Sequence, residues 1–200
     1  MPLEVTETQD ILEIAGIFPH ALCVKLIECY RNSPEDIKFK FGPREGKLIE
    51  LSGDEPGYKE LTEECLVGIR PAISLYRNHY KFFDKMICGG FKIVEYREGE
   101  GCSPHYDGYE SDGLMKIASV VVYLNDDFSA GETVFTKQKM SVKPAPGKVV
   151  FFPSGPTHPH YVEKTENGTR YALLTWMHAD SLPSIKTVLR YAFRTPTYFD

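Results

Sequence analysis

No stretch of this sequence is basic enough to grip a nucleic acid, and none is apolar enough to span a bilayer. The formal net charge is -5 and no tract is dense in Lys or Arg, which argues against binding through phosphates. Uninterrupted apolar runs fall far short of the roughly 20 residues that a membrane helix needs. The opening "MPLEVTETQD" has no basic segment followed by an apolar run, so it does not read as a secretory signal. Cysteine is scarce and unpatterned. Cys23, Cys29, Cys65, Cys88 and Cys102 make an odd five without C-x-x-C spacing, which argues against a disulfide framework and a zinc ribbon. Reduced, mostly packed thiols in a cytoplasmic protein fit better. No repeat, low-complexity segment or linker divides the 200 residues, so they read as one domain with a sizeable core. Hydrophobic residues at 42% and charged residues at 26% are ordinary for a soluble globular chain.

The chain changes character near residue 85. Before it, residues 1–84 carry helical periodicity. "FPHALCVKLIECYRN" places Leu22, Leu26 and Tyr30 on one stripe with Cys23 and Ile27 beside them, and Pro19 suits a first helical position. A polar stretch from Ser33 to Gly57 reads as loop holding at most one short strand. "YKELTEECLVGIRPAISLYRNHY" reads as helix with Leu61, Cys65, Ile69, Ile73 and Tyr76 inward, and Pro71 should kink or divide it. From Lys85 to residue 178 the pattern becomes short apolar runs between turns: "FKIVEY", "KIASVVVYLND", "GETVFT", "SVKPAPGKVVFFP", "HYVEK" and "RYALLTWM". Such spacing suggests a β-sandwich or barrel. The tail, residues 179–200, returns to helical spacing in "LPSIKTVLRYAF" and is expected to pack outside the sheets.

Within this frame "SPHYDG" stands out. His105 and Asp107 are two positions apart, so on an extended segment both side chains point the same way. Pro104 restrains the entry and Gly108 lets the chain turn away. Imidazole nitrogen and carboxylate oxygen suit divalent first-row metals, and two histidines with one carboxylate leave open positions on a six-coordinate iron. The pair alone is a weak signal, common in solvated turns. A second histidine is offered by "THPHYVEKTENGTRYALLTW", where both His158 and His160 are candidates.

From "YREGEGCSPHYDG" to "GTRYALLTWM" the chain resembles the iron(II)- and 2-oxoglutarate-dependent oxygenases, particularly the prolyl 4-hydroxylase branch. Tyr96 and Gly99 precede Pro104, His105 and Asp107. Gly131, Thr133 and Phe135 match a G-x-T-x-F strand, with Ala130 where the family has a first glycine. "KPAPGKVVFFPS" matches the next strand, with Pro146 displaced, and His160, Val162, Gly168, Arg170 and Trp176 complete the order. The resemblance covers roughly the last 110 residues and five ordered blocks. It implies a double-stranded β-helix (jelly-roll) core flanked by N-terminal helices and a C-terminal helix. It implies iron(II) on His105, Asp107 and His160, since Arg170 lies ten positions after His160 and twelve after His158, and ten fits the family. His158 stays open as the alternative.

Arg170 has a role that chemistry alone supports. A guanidinium offers a planar fork matched to a carboxylate and keeps its charge, so it can hold the far carboxylate of 2-oxoglutarate. A surface arginine pairing with a nearby acid is the plainer reading without the histidines. The resemblance adds Tyr123 and Thr133 as hydroxyl donors to that carboxylate and Tyr96 close to the cosubstrate, although all three are residue types that strands favour. Trp176 reads as core packing. The implied activity is hydroxylation of an unactivated carbon using dioxygen and 2-oxoglutarate, with ascorbate dependence a family expectation. The implied substrate is a prolyl residue in a peptide or protein, as in the oxygen-sensing enzymes and their bacterial relatives. A free amino acid or small metabolite, a cupin-like metal protein of another class, or an inactive binding module are the alternatives. Segments 33–57 and 108–116, the latter carrying Glu110 and Asp112, are the expected lips of the mouth.

Overall fold

The structure, a computed structural model, describes residues 4–40, 42–51, 57–80, 86–108 and 116–179. In chain order come β1 (Glu4–Thr8), β2 (Ile11–Ala15), α1 (His20–Asn32), β3 (Lys47–Glu50), α2 (Tyr58–His79), β4 (Met86–Cys88), β5 (Lys92–Tyr96) and β6 (Cys102–His105). Then follow β7 (Lys116–Tyr123), β8 (Ser129–Ala130), β9 (Thr133–Phe135), β10 (Met140–Val142), β11 (Val149–Pro153), β12 (His160–Val162), β13 (Thr165–Glu166) and β14 (Arg170–Ala179). A major sheet runs β1-β2-β11-β7-β14-β5-β3, with β4 also beside β14, and faces a minor sheet of order β10-β9-β12-β6. The architecture is the mainly β jelly-roll sandwich expected, supported by two helices.

The major sheet is covered on both sides, which is why its strands read as continuous apolar runs rather than alternating ones. Alternate residues divide between two cores. Leu12, Ile14, Val120, Val122, Phe151, Tyr171 and Leu173 pack toward the helices with Leu26, Cys65 and Ile69. Ile11, Val121, Tyr123, Phe152, Ala172, Leu174 and Trp176 pack inward with Phe135 and Val142 of the minor sheet. Each fully buried side chain of this kind contributes roughly 1.5–3 kcal/mol. Phe151 stacks on Tyr76 of α2 with ring centroids 4.8 Å apart, so truncating it would open a cavity at the sheet–helix seam.

Helix α1 buries Leu22, Cys23, Leu26 and Tyr30, the expected stripe. Pro19 is its cap rather than its first residue, because ψ of 129° keeps it extended while its carbonyl accepts from Leu22 and Cys23. Helix α2 runs through Pro71 without dividing. Pro71 and Val67, whose carbonyl loses its donor, are both exposed, so water can take up the freed acceptor. "SVKPAPGKVVFFP" breaks into β10 and β11 about the turn at Gly147 (φ 76°).

Residues 1–84 are not helical support alone. They hold β1, β2 and β3, and β2 extends the major sheet by pairing with β11, Ile14 opposite Val149. The signal was hidden for physical reasons. Strand β1 is exposed throughout, so it shows no apolar alternation, and the β1–β2 turn uses Gln9 and Asp10 at φ of 51° and 66° instead of the Asn-Gly that marks such hairpins. The expected C-terminal helix and most of the 108–116 lip lie outside the described residues. Among the described residues no helix is long and apolar enough to cross a membrane.

Candidate active site

Sheet register places the site. Strand β6 is the edge of the minor sheet, where Pro104 is tolerated, and its last residue, His105, lies directly across the ladder from His160 at the start of β12. Their rings are 4.4 Å apart, centroid to centroid. Asp107 follows in the loop after β6, with Oδ1 3.5 Å from His105 Nε2 and Oδ2 3.8 Å from His160 Nε2. Gly108 permits this turn, since a Cβ there would meet the Ser154 carbonyl at 2.9 Å. Among the described residues, His105, Asp107 and His160 form a cluster whose ligand atoms lie within 4.8 Å of one another.

The surroundings aim these atoms at a common point. His105 Nδ1 donates to the Ser103 carbonyl at 2.8 Å and His160 Nδ1 to the His158 carbonyl at 3.1 Å. A carbonyl only accepts, so both rings carry hydrogen on Nδ1 and turn Nε2 toward the common point, the orientation metal-binding histidines need. Asp107 Oδ2 accepts from the Ser119 hydroxyl at 2.7 Å, and Arg44 Nη2 stands 3.9 Å from Oδ1. His105 Nε2 is buried without a hydrogen-bond partner. An orphaned nitrogen between a carboxylate and a second imidazole fits a divalent cation, and the donor set of two nitrogens and one oxygen suits iron(II).

The charge states follow from the same contacts. Burial opposes charging of His105, yet Asp107 and Cys102 beside it push it up to about 9. Burial would raise Asp107, but His105, His160 and Arg44 hold it well below the usual carboxylate range. Burial dominates at His160 and pushes it down to about 4, Asp107 offsetting only part. Without a metal, His105 therefore holds the proton that a cation would displace.

Arg170 lies deeper, on the central strand β14, opposite Tyr96 of β5. It is 1% exposed and sits between the rings of Tyr96 and Tyr123, 5.3 Å from each centroid. Its Nη2 reaches Thr133 Oγ1 at 3.5 Å, and the Tyr123 hydroxyl donates to the same oxygen at 2.8 Å. Gly131 (φ 67°) leaves room, because a Cβ there would press on Phe128 and the Arg170 stem at 3.0 and 3.3 Å. Arg170 Nε is buried and unpartnered, and among the described residues the guanidinium has no ion pair with a carboxylate. A buried unpaired cation is costly, and an incoming carboxylate would offset that cost. One cavity joins Arg170, Thr133 and Tyr96 to His105, Asp107 and His160.

His158 is near the cluster but turned from it. Its Nε2 donates to the Gln9 carbonyl at 2.9 Å and its Nδ1 accepts from the Thr157 hydroxyl at 2.9 Å, so neither nitrogen is open. Several lining residues had no signal or a misleading one. Arg44, from the 33–57 segment, gave none. Ser119 was a lone polar residue in the apolar "ASVVVY". Trp176, read as packing, is buried in the inner core but also lines the cavity, with the Lys116 ammonium 4.2 Å from its ring centroid.

Residues 91–178 match the family model described as the 2OG-Fe(II) oxygenase superfamily. Rat prolyl 3-hydroxylase 2 is 38% identical over 69 residues, 32% of this chain and 10% of that protein. A probable prolyl 4-hydroxylase 11 of Arabidopsis thaliana is 31% identical over 93 residues, 41% of this chain and 31% of that protein. The chain thus spans about a tenth to a third of the length of these curated relatives. Among solved structures, a viral collagen prolyl hydroxylase from Paramecium Bursaria Chlorella virus-1, in a 2OG complex, superposes with a TM-score of 0.68 at 20% identity, covering 86% of this chain and 97% of that one. A Pseudomonas putida prolyl-4-hydroxylase gives 0.66 at 20% identity, covering 87% and 95%. A Trichoplax adhaerens prolyl hydroxylase, in complex with a hypoxia inducible factor peptide fragment, gives 0.68 at 18%, covering 86% and 85%.

Proposed function

We propose that this chain, whose residues 91–178 match the family model of the 2OG-Fe(II) oxygenase superfamily, is an iron(II)- and 2-oxoglutarate-dependent dioxygenase that hydroxylates a prolyl residue in a peptide or protein. His105, Asp107 and His160 are the iron ligands, and Arg170 anchors the distal carboxylate of 2-oxoglutarate. The observation that carries this reading is one cavity with an orphaned ligand nitrogen, His105 Nε2, at one end and a buried guanidinium lacking a carboxylate at the other. A cupin-like metal site or an inactive module has no use for that guanidinium.

When bound, iron(II), 2-oxoglutarate and dioxygen supply the oxidising chemistry, in which the keto acid becomes succinate and carbon dioxide and one oxygen atom enters a substrate C–H bond. The chain's own residues bind, orient and exclude water. The Ser103 and His158 carbonyls hold the two imidazoles in the ligating tautomer. Ser119 and Arg44 steady the Asp107 carboxylate. Tyr96 and Tyr123 wall the Arg170 fork, and Thr133 with Tyr123 adds hydroxyls for the same carboxylate. Burial of this end among Val94, Val121 and Leu174 keeps the ion pair in a low dielectric, where it is strongest.

The proline substrate is supported by what the similar proteins are named for. Arg44 brings the 33–57 segment to the mouth of the cavity, as a substrate lip would. All five cysteines are free, in keeping with a reducing, cytoplasmic setting. Succinate release dependent on iron and 2-oxoglutarate, measured across proline-containing peptides and free amino acids, tests the reading. Stimulation by a proline peptide is the expected result; stimulation by free amino acids alone moves the substrate, and none with any acceptor overturns the function.

A further inference from the structure

The loop that delivers His160 is clamped on two sides, and one clamp comes from the far N-terminus. Four successive carbonyls, residues 156 to 159, each receive a donor. Lys137 Nζ donates to Pro156 O at 2.9 Å, and Gln138 Nε2 donates to Thr157 O at 3.0 Å. The backbone N–H of Thr136 donates to Pro159 O at 3.0 Å. The carbonyl left between them, that of His158, takes the Nδ1 hydrogen of His160. The turn is closed by His158 N donating to Gly155 O at 3.1 Å. The His158 ring then reaches away from the cavity and donates to Gln9 O at the β1–β2 tip. Gln9 Nε2 in turn donates to Gln138 O at 3.2 Å, so the tip touches both clamps.

That tip is itself an improbable piece of backbone. Gln9 and Asp10 both hold positive φ, 51° and 66°, which aspartate tolerates but which costs energy at Gln9 and persists there where surroundings over-determine it. The Gln9 carbonyl is spent on the loop through His158, and its side-chain amide on Gln138 of the opposite clamp. We propose that His158 is a positioning residue through which the N-terminal hairpin presets the distal metal ligand, so that β1–β2 belongs functionally to the metal site. Main-chain placement is the link. With the His158 ring docked on Gln9, its carbonyl stands where it can fix the tautomer and tilt of His160; without the dock, the loop keeps only the clamp from residues 136–138.

The inference rests on His160 being a metal ligand, and the experiment separates the two. Cobalt(II) affinity of the metal-free protein is measured by visible absorption for wild type, His160→Ala, His158→Ala, His158→Gln and Ile14→Val. Wild-type binding that His160→Ala abolishes upholds the ligand assignment; equal binding in both overturns that assignment, whatever His158 does. His158→Ala should then weaken cobalt about 10- to 100-fold, the usual range for groups that orient a ligand. His158→Gln, whose amide can still donate to Gln9 O, should recover part of the loss. Ile14→Val, a core truncation in the same hairpin on the helix-facing side, should leave affinity unchanged. Unchanged affinity in His158→Ala, or an equal loss in Ile14→Val, overturns the clamp. If His158→Ala does not fold, Gln9→Ala, which removes the tip's donation to Gln138 O, carries the test from the hairpin itself with a several-fold loss, and no loss there counts against the clamp.

Discussion

The proposed metal end of the cavity hangs on the margins of the sheets, whereas the Arg170 end starts from the middle of one. His105 closes an edge strand, Asp107 sits in a loop and His160 opens a three-residue strand. Their side chains are 7–13% exposed. Arg170 begins β14, flanked by β5 and β7 in a sheet covered on both faces, and is 1% exposed. The metal end must be held by local hydrogen bonds to Ser103, His158 and Ser119, each of them replaceable in kind. The arginine end is held by strand register and by tyrosine rings that cannot move without shifting the sheet. The first region is therefore tunable and proton-linked, and the second is rigid and costly when empty.

The sharpest way to break this contrast is to remove a ligand from the margin. His160→Ala should weaken iron(II) binding more than about 100-fold, beyond the range for orienting groups, and leave the fold intact, as seen by equilibrium dialysis beside circular dichroism. Retained binding would place the metal elsewhere.

A smaller effect comes from protons. His105 is held near 9 without metal, so below that pH binding must expel a proton, and affinity should rise about tenfold per unit from pH 7 and level off near pH 9. His160, held near 4, is already neutral there and adds no slope. A flat profile from pH 7 to 9, measured by competition with a chelator of known titration, would remove His105 from the ligands.

The smallest effect probes the deep end. Arg170→Met replaces a buried unpaired cation with an apolar side chain of similar length, and the metal-free protein should gain about 1–2 kcal/mol. Urea denaturation measures it. A loss of stability would mean the guanidinium is already satisfied.

Legibility divides along the same line. The major-sheet strands β5, β7, β11 and β14 could be read because burial on both faces makes them continuous apolar runs. His105 and Asp107 announced themselves because two residues of extended chain bring them together locally. His160, in contrast, meets them only through the pairing of β12 with β6, and the spacing to Arg170 could favour it over His158 only by resemblance. The direction of the His158 ring depends on Gln9, 149 residues away, which no local pattern encodes. Strand β1 and the approach of Arg44 to Asp107 were invisible for the same reason: each gains its meaning from a distant partner, and neither carries a periodicity of its own.

Anaerobic titration of the iron(II)-loaded protein with 2-oxoglutarate, followed through its visible charge-transfer absorption, asks most directly whether both ends serve one ligand set. Wild type should saturate, and Arg170→Met should need at least about 30-fold more 2-oxoglutarate, as expected for a buried charge pair deprived of one partner. No band in wild type, or the same midpoint in both proteins, would contradict the shared cavity.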